Sequence, residues 1–132
     1  MTVTRNQIVG RGLAQRCPNC GERTLFPARS LRVNRSCLQC GVDLDRGEGF
    51  FLGPWVINYG VVVFGIVLPF LALAQREVMP WSVALALIAV GCFVLPALLY
   101  RSSWSWWLML YFFVMPERLP ANGGRAGADA ED

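Results

Sequence analysis

Four of the five cysteines in this chain fall in two copies of one pattern: "CPNCG" (Cys17, Cys20, Gly21) and "CLQCG" (Cys37, Cys40, Gly41). The full spacing is C-x2-C-x16-C-x2-C. A single such pair could cycle a disulfide, but two pairs are the signature of a tetrahedral metal centre. Two thiolates three residues apart on a tight turn reach the same ion. The glycine that follows each pair lets the backbone turn sharply, so that amide groups approach the sulfurs. We therefore expect one zinc ion on Cys17, Cys20, Cys37 and Cys40. Iron held by the same thiolates is the minor alternative, and disulfides are disfavoured in the reducing compartment argued for below. Four protein ligands leave no open position for a reacting water, so the centre is expected to be structural and not catalytic. The chain has no histidine, which removes the commonest general base and a common metal ligand.

The elements that must position these thiolates are small. The 16 residues between the pairs suffice for an out-and-back excursion. "SLRVNRS" (Ser30 to Ser36) alternates as a strand would, with Leu31 and Val33 on one face and Arg32 and Asn34 on the other. Residues 13–46 thus read as a zinc ribbon with a small β hairpin, preceded by an arm at 1–12. Its apolar content is slight (Leu25, Phe26, Leu31 and Val33), so metal binding should supply most of its folding energy, roughly 10–16 kcal/mol in comparable zinc peptides. The first twelve residues contain no apolar run that would serve as a secretory signal.

Beyond a link at 47–54, the composition changes. Residues 55–75 form a 21-residue run without a charge, "REVMP" makes a loop at 76–80, and residues 81–100 form 20 more uncharged residues. At about 1.5 Å per residue each run spans about 30 Å, the thickness of a bilayer core. Only helices satisfy their backbone in lipid, so the two runs predict an antiparallel transmembrane hairpin. All twelve basic residues are arginine, and eight of them precede residue 55 against four acids. That +4 flank predicts that both termini are cytoplasmic and the 76–80 loop external, in a bacterial inner membrane. Residues 102–116, "SSWSWWLMLYFFVMP", are apolar but only 15 long. Their Trp and Tyr content suggests a separate helix lying at the inner membrane surface, with Trp104, Trp107 and Tyr111 available to a partner or to lipid; a short third span is the alternative. The tail at 117–132 reads as disordered.

Within the spans, Gly65 and Gly91 fall at matching depths and are expected to let the helices approach closely. Cys92 lies alone and reads as a small packing residue. No ionisable acid or base lies inside either run, which argues against an ion or proton path. The stretch from Asp43 to Pro54, which ends the ribbon and forms the link, holds Asp43, Asp45 and Glu48, together with Phe50 and Phe51 as interface anchors; it reads as a solvated connection and not as an acid–base site.

Taken together, Arg11-Gly12-Leu13, Arg16, both cysteine pairs, Leu25-Phe26, the two spans and the short amphiphilic segment resemble the bacterial membrane family known as domain of unknown function 983. The resemblance covers Arg11 to Val114. It implies a zinc ribbon on the same four cysteines, followed by a helical hairpin. Members of that family are often encoded beside haem–copper oxidase assembly genes, so the resemblance also implies a place in respiratory-complex biogenesis. The chain reads "GEGFFLGP" at 47–54 and "RSSWSWW" at 101–107 where the family carries an acidic stretch and a basic motif.

These readings converge on a mainly α membrane protein: a four-cysteine ribbon, a two-helix hairpin and a short interfacial helix. It is expected to be non-enzymatic, to dock on or assemble a membrane complex, and to use Arg23, Arg29, Arg32 and Arg35 as a polar face toward lipid or protein. Nucleic acid is disfavoured as a partner, because orientation alone explains the +4, and no small-molecule substrate is evident. The alternative is a metal-handling or electron-transfer role for the four thiolates.

Overall fold

A computed structural model describes residues 2–124. Those residues form three helices. The first, α1, spans Arg5–Leu13. The second, α2, runs through Leu52–Gln75, and the third, α3, through Trp81–Val114. Two 3-10 turns follow at Pro116–Arg118 and Pro120–Asn122.

Helices α2 and α3 are long and apolar enough to cross a membrane, and little of either apolar window is buried inside the chain. A helix with apolar side chains on all sides and few of them covered is not a core helix of the described chain. They pack as an antiparallel pair. A Cβ on Gly53 would run into the Trp107 indole. Asn58 Nδ2 donates to the Pro96 carbonyl at 3.1 Å. A Cβ on Gly91 would lie 2.5 Å from Ile66 Cδ1, and Ala74 and Ala84 are buried near the loop. Gly91 is therefore a close-approach site as expected, but Gly65 is not: it faces open space. The reason lies one turn on. Pro69 lacks the N–H that would bond the Gly65 carbonyl. Val63–Val67 widens into a π-helical turn, which re-phases the faces of α2 and carries Gly65 away from the partner.

Three expectations are corrected. Residues 102–116 are not a separate interfacial helix, because α3 continues unbroken through Arg101 to Val114. The arm at 1–12 contains α1, whose first turn carries a bond from the Thr4 backbone N–H to Gln7 Oε1 at 3.2 Å. The two elements explain each other. Ile8 and Gly12 of α1 are buried, a Cβ on Gly12 would lie 2.5 Å from Met109 Cβ, and Ser105 Oγ donates to the Gly12 carbonyl at 2.6 Å. The "SSWS" stretch supplies small side chains on one face, so α1 can lie close along α3, and burial of Leu108 and Phe112 replaces the membrane surface predicted for this segment. Finally, the tail is ordered at least to Gly124. Leu119 is fully buried, and Asn122 clamps the N-terminal arm, its Oδ1 accepting from Val3 N at 2.7 Å and its Nδ2 donating to Val3 O at 3.1 Å. The rest of the predicted disordered tail, 125–132, lies outside the described residues.

Candidate metal centre

The predicted small β hairpin is absent among the described residues. Its place is taken by turns, with a single antiparallel bridge between Ser36 and Asp43. Leu31, assigned with Val33 to the apolar face of that strand, is exposed. The chain around the cysteines is too short and too poor in apolar side chains to stabilise a sheet, so the two cysteine turns themselves organise it.

Those two turns are built alike. In the first, Gly21 N–H donates to Cys17 O and Cys17 N–H to Glu22 O, both at 2.9 Å. In the second, Gly41 N–H donates to Cys37 O and Cys37 N–H to Val42 O, again at 2.9 Å. Gly21 and Gly41 have φ of 80° and 69°, the left-handed region that their position requires and that a side chain would strain. The turns face each other, and all four Sγ atoms lie within 4.8 Å of one another. Cys17 and Cys40 Sγ are 3.7 Å apart, and Cys20 and Cys37 Sγ are 3.6 Å apart. Four thiolates held tetrahedrally at about 2.3 Å from one ion would stand roughly 3.8 Å apart, so the cage fits a metal ion in size and in donor type. All five cysteines are free thiols. Cys92 lies apart, half-buried on α3.

The surroundings are asymmetric. Burial pushes the Cys17 thiol well above its ordinary value, and burial raises Cys20 too. At Cys37, burial also acts upward, but it is outweighed by hydrogen bonds: the Thr24 hydroxyl at 2.8 Å and the backbone N–H groups of Cys40 and Gln39 hold the thiol down to about 6. Cys37 is thus the cage's ready-made thiolate.

Further contacts tie the cage to the helices. Arg11 of α1 donates from Nη1 to the carbonyls of Pro18 and Asn19 at 2.9 and 2.7 Å, inside the first cysteine turn. The Asn19 side chain accepts from Ala121 N at 3.0 Å, which brings the C-terminal turn onto the same knuckle. Arg101 of α3 lies over the Phe26 ring at 4.5 Å. Cys17, Cys37, Leu25, Val42 and Leu44 share one core with Val3, Ile8, Leu108, Phe112 and Leu119. The metal turns, both ends of the described chain and the far end of α3 are one packed unit.

Sequence reasoning named the four ligands but missed Arg11, Asn19, Thr24 and Ser105 as their supports. Arg11 carried a signal, since it belongs to the Arg11-Gly12-Leu13 run that precedes the first cysteine pair. Thr24 carries no signal of its own, because its bond to Cys37 spans 13 residues. The arginines predicted as a polar face, Arg23, Arg29, Arg32 and Arg35, are all exposed. The aromatic residues predicted to meet a partner or lipid also pack within the chain. Trp104 is buried. Trp107 and Tyr111 pack on Phe50 with ring centroids 5.7 and 5.2 Å away, and Arg46 lies over Tyr111. Phe50 is therefore an internal anchor, whereas Phe51 beside it is exposed. Among the tryptophans and tyrosines of the described residues, Trp55, Tyr59 and Trp81 are exposed, near the start of α2 and the loop end of α3.

A four-thiolate cage packed against a hairpin of two membrane-length helices defines the class: a small metal-binding membrane protein. Residues 28–112, well over half of the chain, match the family described as Protein of unknown function (DUF983), and the chain belongs to that family. The matched region includes Cys37 and Cys40 and both long helices. No curated protein and no solved structure matches the chain.

Proposed function

We propose that this protein is a membrane-anchored docking module with one structural zinc ion, set on the cytoplasmic side of a bacterial inner membrane, and that it serves the assembly of a membrane complex, of which a respiratory oxidase is the candidate suggested by the family resemblance. The observation that carries the reading is the cage itself. Four thiolates close it, and its two turns are knitted to α1, α3 and the C-terminal turns, so the ion would hold a surface in shape and not present an open coordination position. Zinc is favoured over iron because a redox-silent ion suits a centre whose neighbours are structural. The chain is read as non-enzymatic, since four protein thiolates leave the cage no open position for a reacting water. The exposed Arg23, Arg29, Arg32 and Arg35 lie on the same unit and support both cytoplasmic orientation and contact with acidic surfaces.

The test is metal analysis and co-purification of the full chain from its native membrane. The expected result is one tightly held zinc per chain, and a single membrane complex that co-purifies with the native protein and is lost on Cys17→Ser. Native iron with a reversible redox wave, or zinc surrendered to a weak chelator, would overturn the docking role in favour of metal handling or electron transfer.

A further inference from the structure

Where the metal unit meets the hairpin, two cavities open side by side. The first, about 490 Å³, lies between the inner ends of α2 and α3 and is walled by apolar surface including Leu31, Pro54, Trp55, Pro96 and Ala97. Two polar groups in its wall, Asn58 Oδ1 and Ser103 Oγ, are buried with no hydrogen-bond partner, although their residues are only 8% and 1% exposed. Buried polar groups are almost always paired, so an orphaned pair at one cavity points to a missing ligand. The second cavity, about 570 Å³, lies beyond it and contains Arg32, Arg35, Asp45 and Glu48. Arg32 and Tyr100 line both. None of the four charged side chains is engaged in an ion pair or hydrogen bond within the described residues.

An apolar slot that opens at its polar end into a chamber of both charge signs has the shape of an amphiphile. We propose that the paired cavities bind one phospholipid whose head carries a phosphate and a primary ammonium, namely phosphatidylethanolamine. The arginines would take the phosphate and the carboxylates the ammonium. An acyl chain would lie in the slot between Trp55 and Ala97. The carboxylates set the choice of head. A glycerol head offers them no positive charge, and a choline head offers no N–H. This site rests on α2 and α3 lying in a bilayer, as in the proposed function.

The full chain is reconstituted in vesicles of equal parts phosphatidylethanolamine, phosphatidylglycerol and phosphatidylcholine, extracted in mild detergent, and its retained lipid is read by native mass spectrometry. One phosphatidylethanolamine per chain is expected, enriched about tenfold over each competitor, the effect of one charge-assisted contact. Ala97→Phe, which fills the slot, should abolish retention. Asp45→Asn with Glu48→Gln should keep a bound lipid and lose the preference over phosphatidylcholine. Metal content equal to wild type, together with an unchanged helical circular dichroism signal, shows that the metal unit and the hairpin of each variant have both folded. Equal retention of the three heads, enrichment of phosphatidylglycerol, or retention unchanged in Ala97→Phe would overturn the site. Release of the wild-type chain from vesicles by alkaline carbonate would instead overturn the membrane reading on which it rests.

Discussion

Thr24 and Cys37 show how much one hydroxyl decides at this centre. Its 2.8 Å contact is the strongest of the hydrogen bonds that bring the Cys37 thiol to about 6, while burial drives Cys17 and Cys20 the other way. Replacing the hydroxyl by a methyl in Thr24→Val should weaken metal affinity by about 10-fold, in the range found for groups that orient metal ligands, as measured by chelator competition. The protonation pattern makes a second prediction. Metal ligation needs thiolates, so at neutral pH binding should release protons from at least Cys17 and Cys20, whose pKa values are raised, while Cys37 is already largely ionised. The lowered Cys37 favours the folded cage above its ordinary value of 9.0, and that contribution is lost as pH falls toward about 6. Proton release on metal binding, read by calorimetry in buffers of different ionisation enthalpy, should therefore increase as pH is lowered through 6.

At the scale of elements, the decisive contact is α1 against the far end of α3. Gly12 lets the two helices approach so closely that a Cβ would meet Met109, and the buried Gly12 carbonyl accepts from the Ser105 hydroxyl. Gly12→Leu should drive the helices apart at a cost of about 1–3 kcal/mol, the usual penalty of overpacking. The measurement is hydrogen exchange. Protection should fall across Arg5–Leu13 and leave the Trp81–Tyr100 half of α3 unchanged. If α1 were a free arm, the substitution would have no effect. The same contact explains why residues 102–116 looked interfacial in the sequence. Their aromatic residues do favour a boundary between apolar and polar surroundings, but the boundary is one made by the chain's own metal unit.

Across the whole molecule, two stabilising schemes meet. The hairpin needs no ion, since its helices close their own backbone bonds. The metal unit has a small core in which two of the ten fully packed residues are cysteine ligands, so it depends on the cage. Stripping the ion with a strong chelator should therefore unfold the metal unit, α1 and the C-terminal turns together, while α2 and most of α3 stay helical. Circular dichroism should report a partial loss of helix, limited proteolysis should open sites before residue 50, and the chain should remain resistant to alkaline extraction. Loss of the hairpin as well would show that the two parts fold as one.

Much of this protein was legible in its sequence, because the relevant signals are local. Two C-x2-C turns with their glycines dictate a four-thiolate cage whatever surrounds them. Uncharged runs of 21 and 20 residues dictate membrane-length helices, because nothing else satisfies a backbone in lipid. What the tertiary structure alone decided is long-range. A helix continuing through Arg101 could not be distinguished from one that stops there, since the choice depends on α1 burying Leu108 and Phe112 from more than 90 residues away, as the Ser105 to Gly12 bond shows by its separation of 93 residues. The strand expected at 30–36 was overridden by turns that the cysteines impose. The phase of α2 was set by a widened turn before Pro69, which turned Gly65 outward and left Gly91 as the point of close contact. Spacing determines which groups can hold an ion or cross a bilayer; only packing determines which surfaces remain exposed once both have formed.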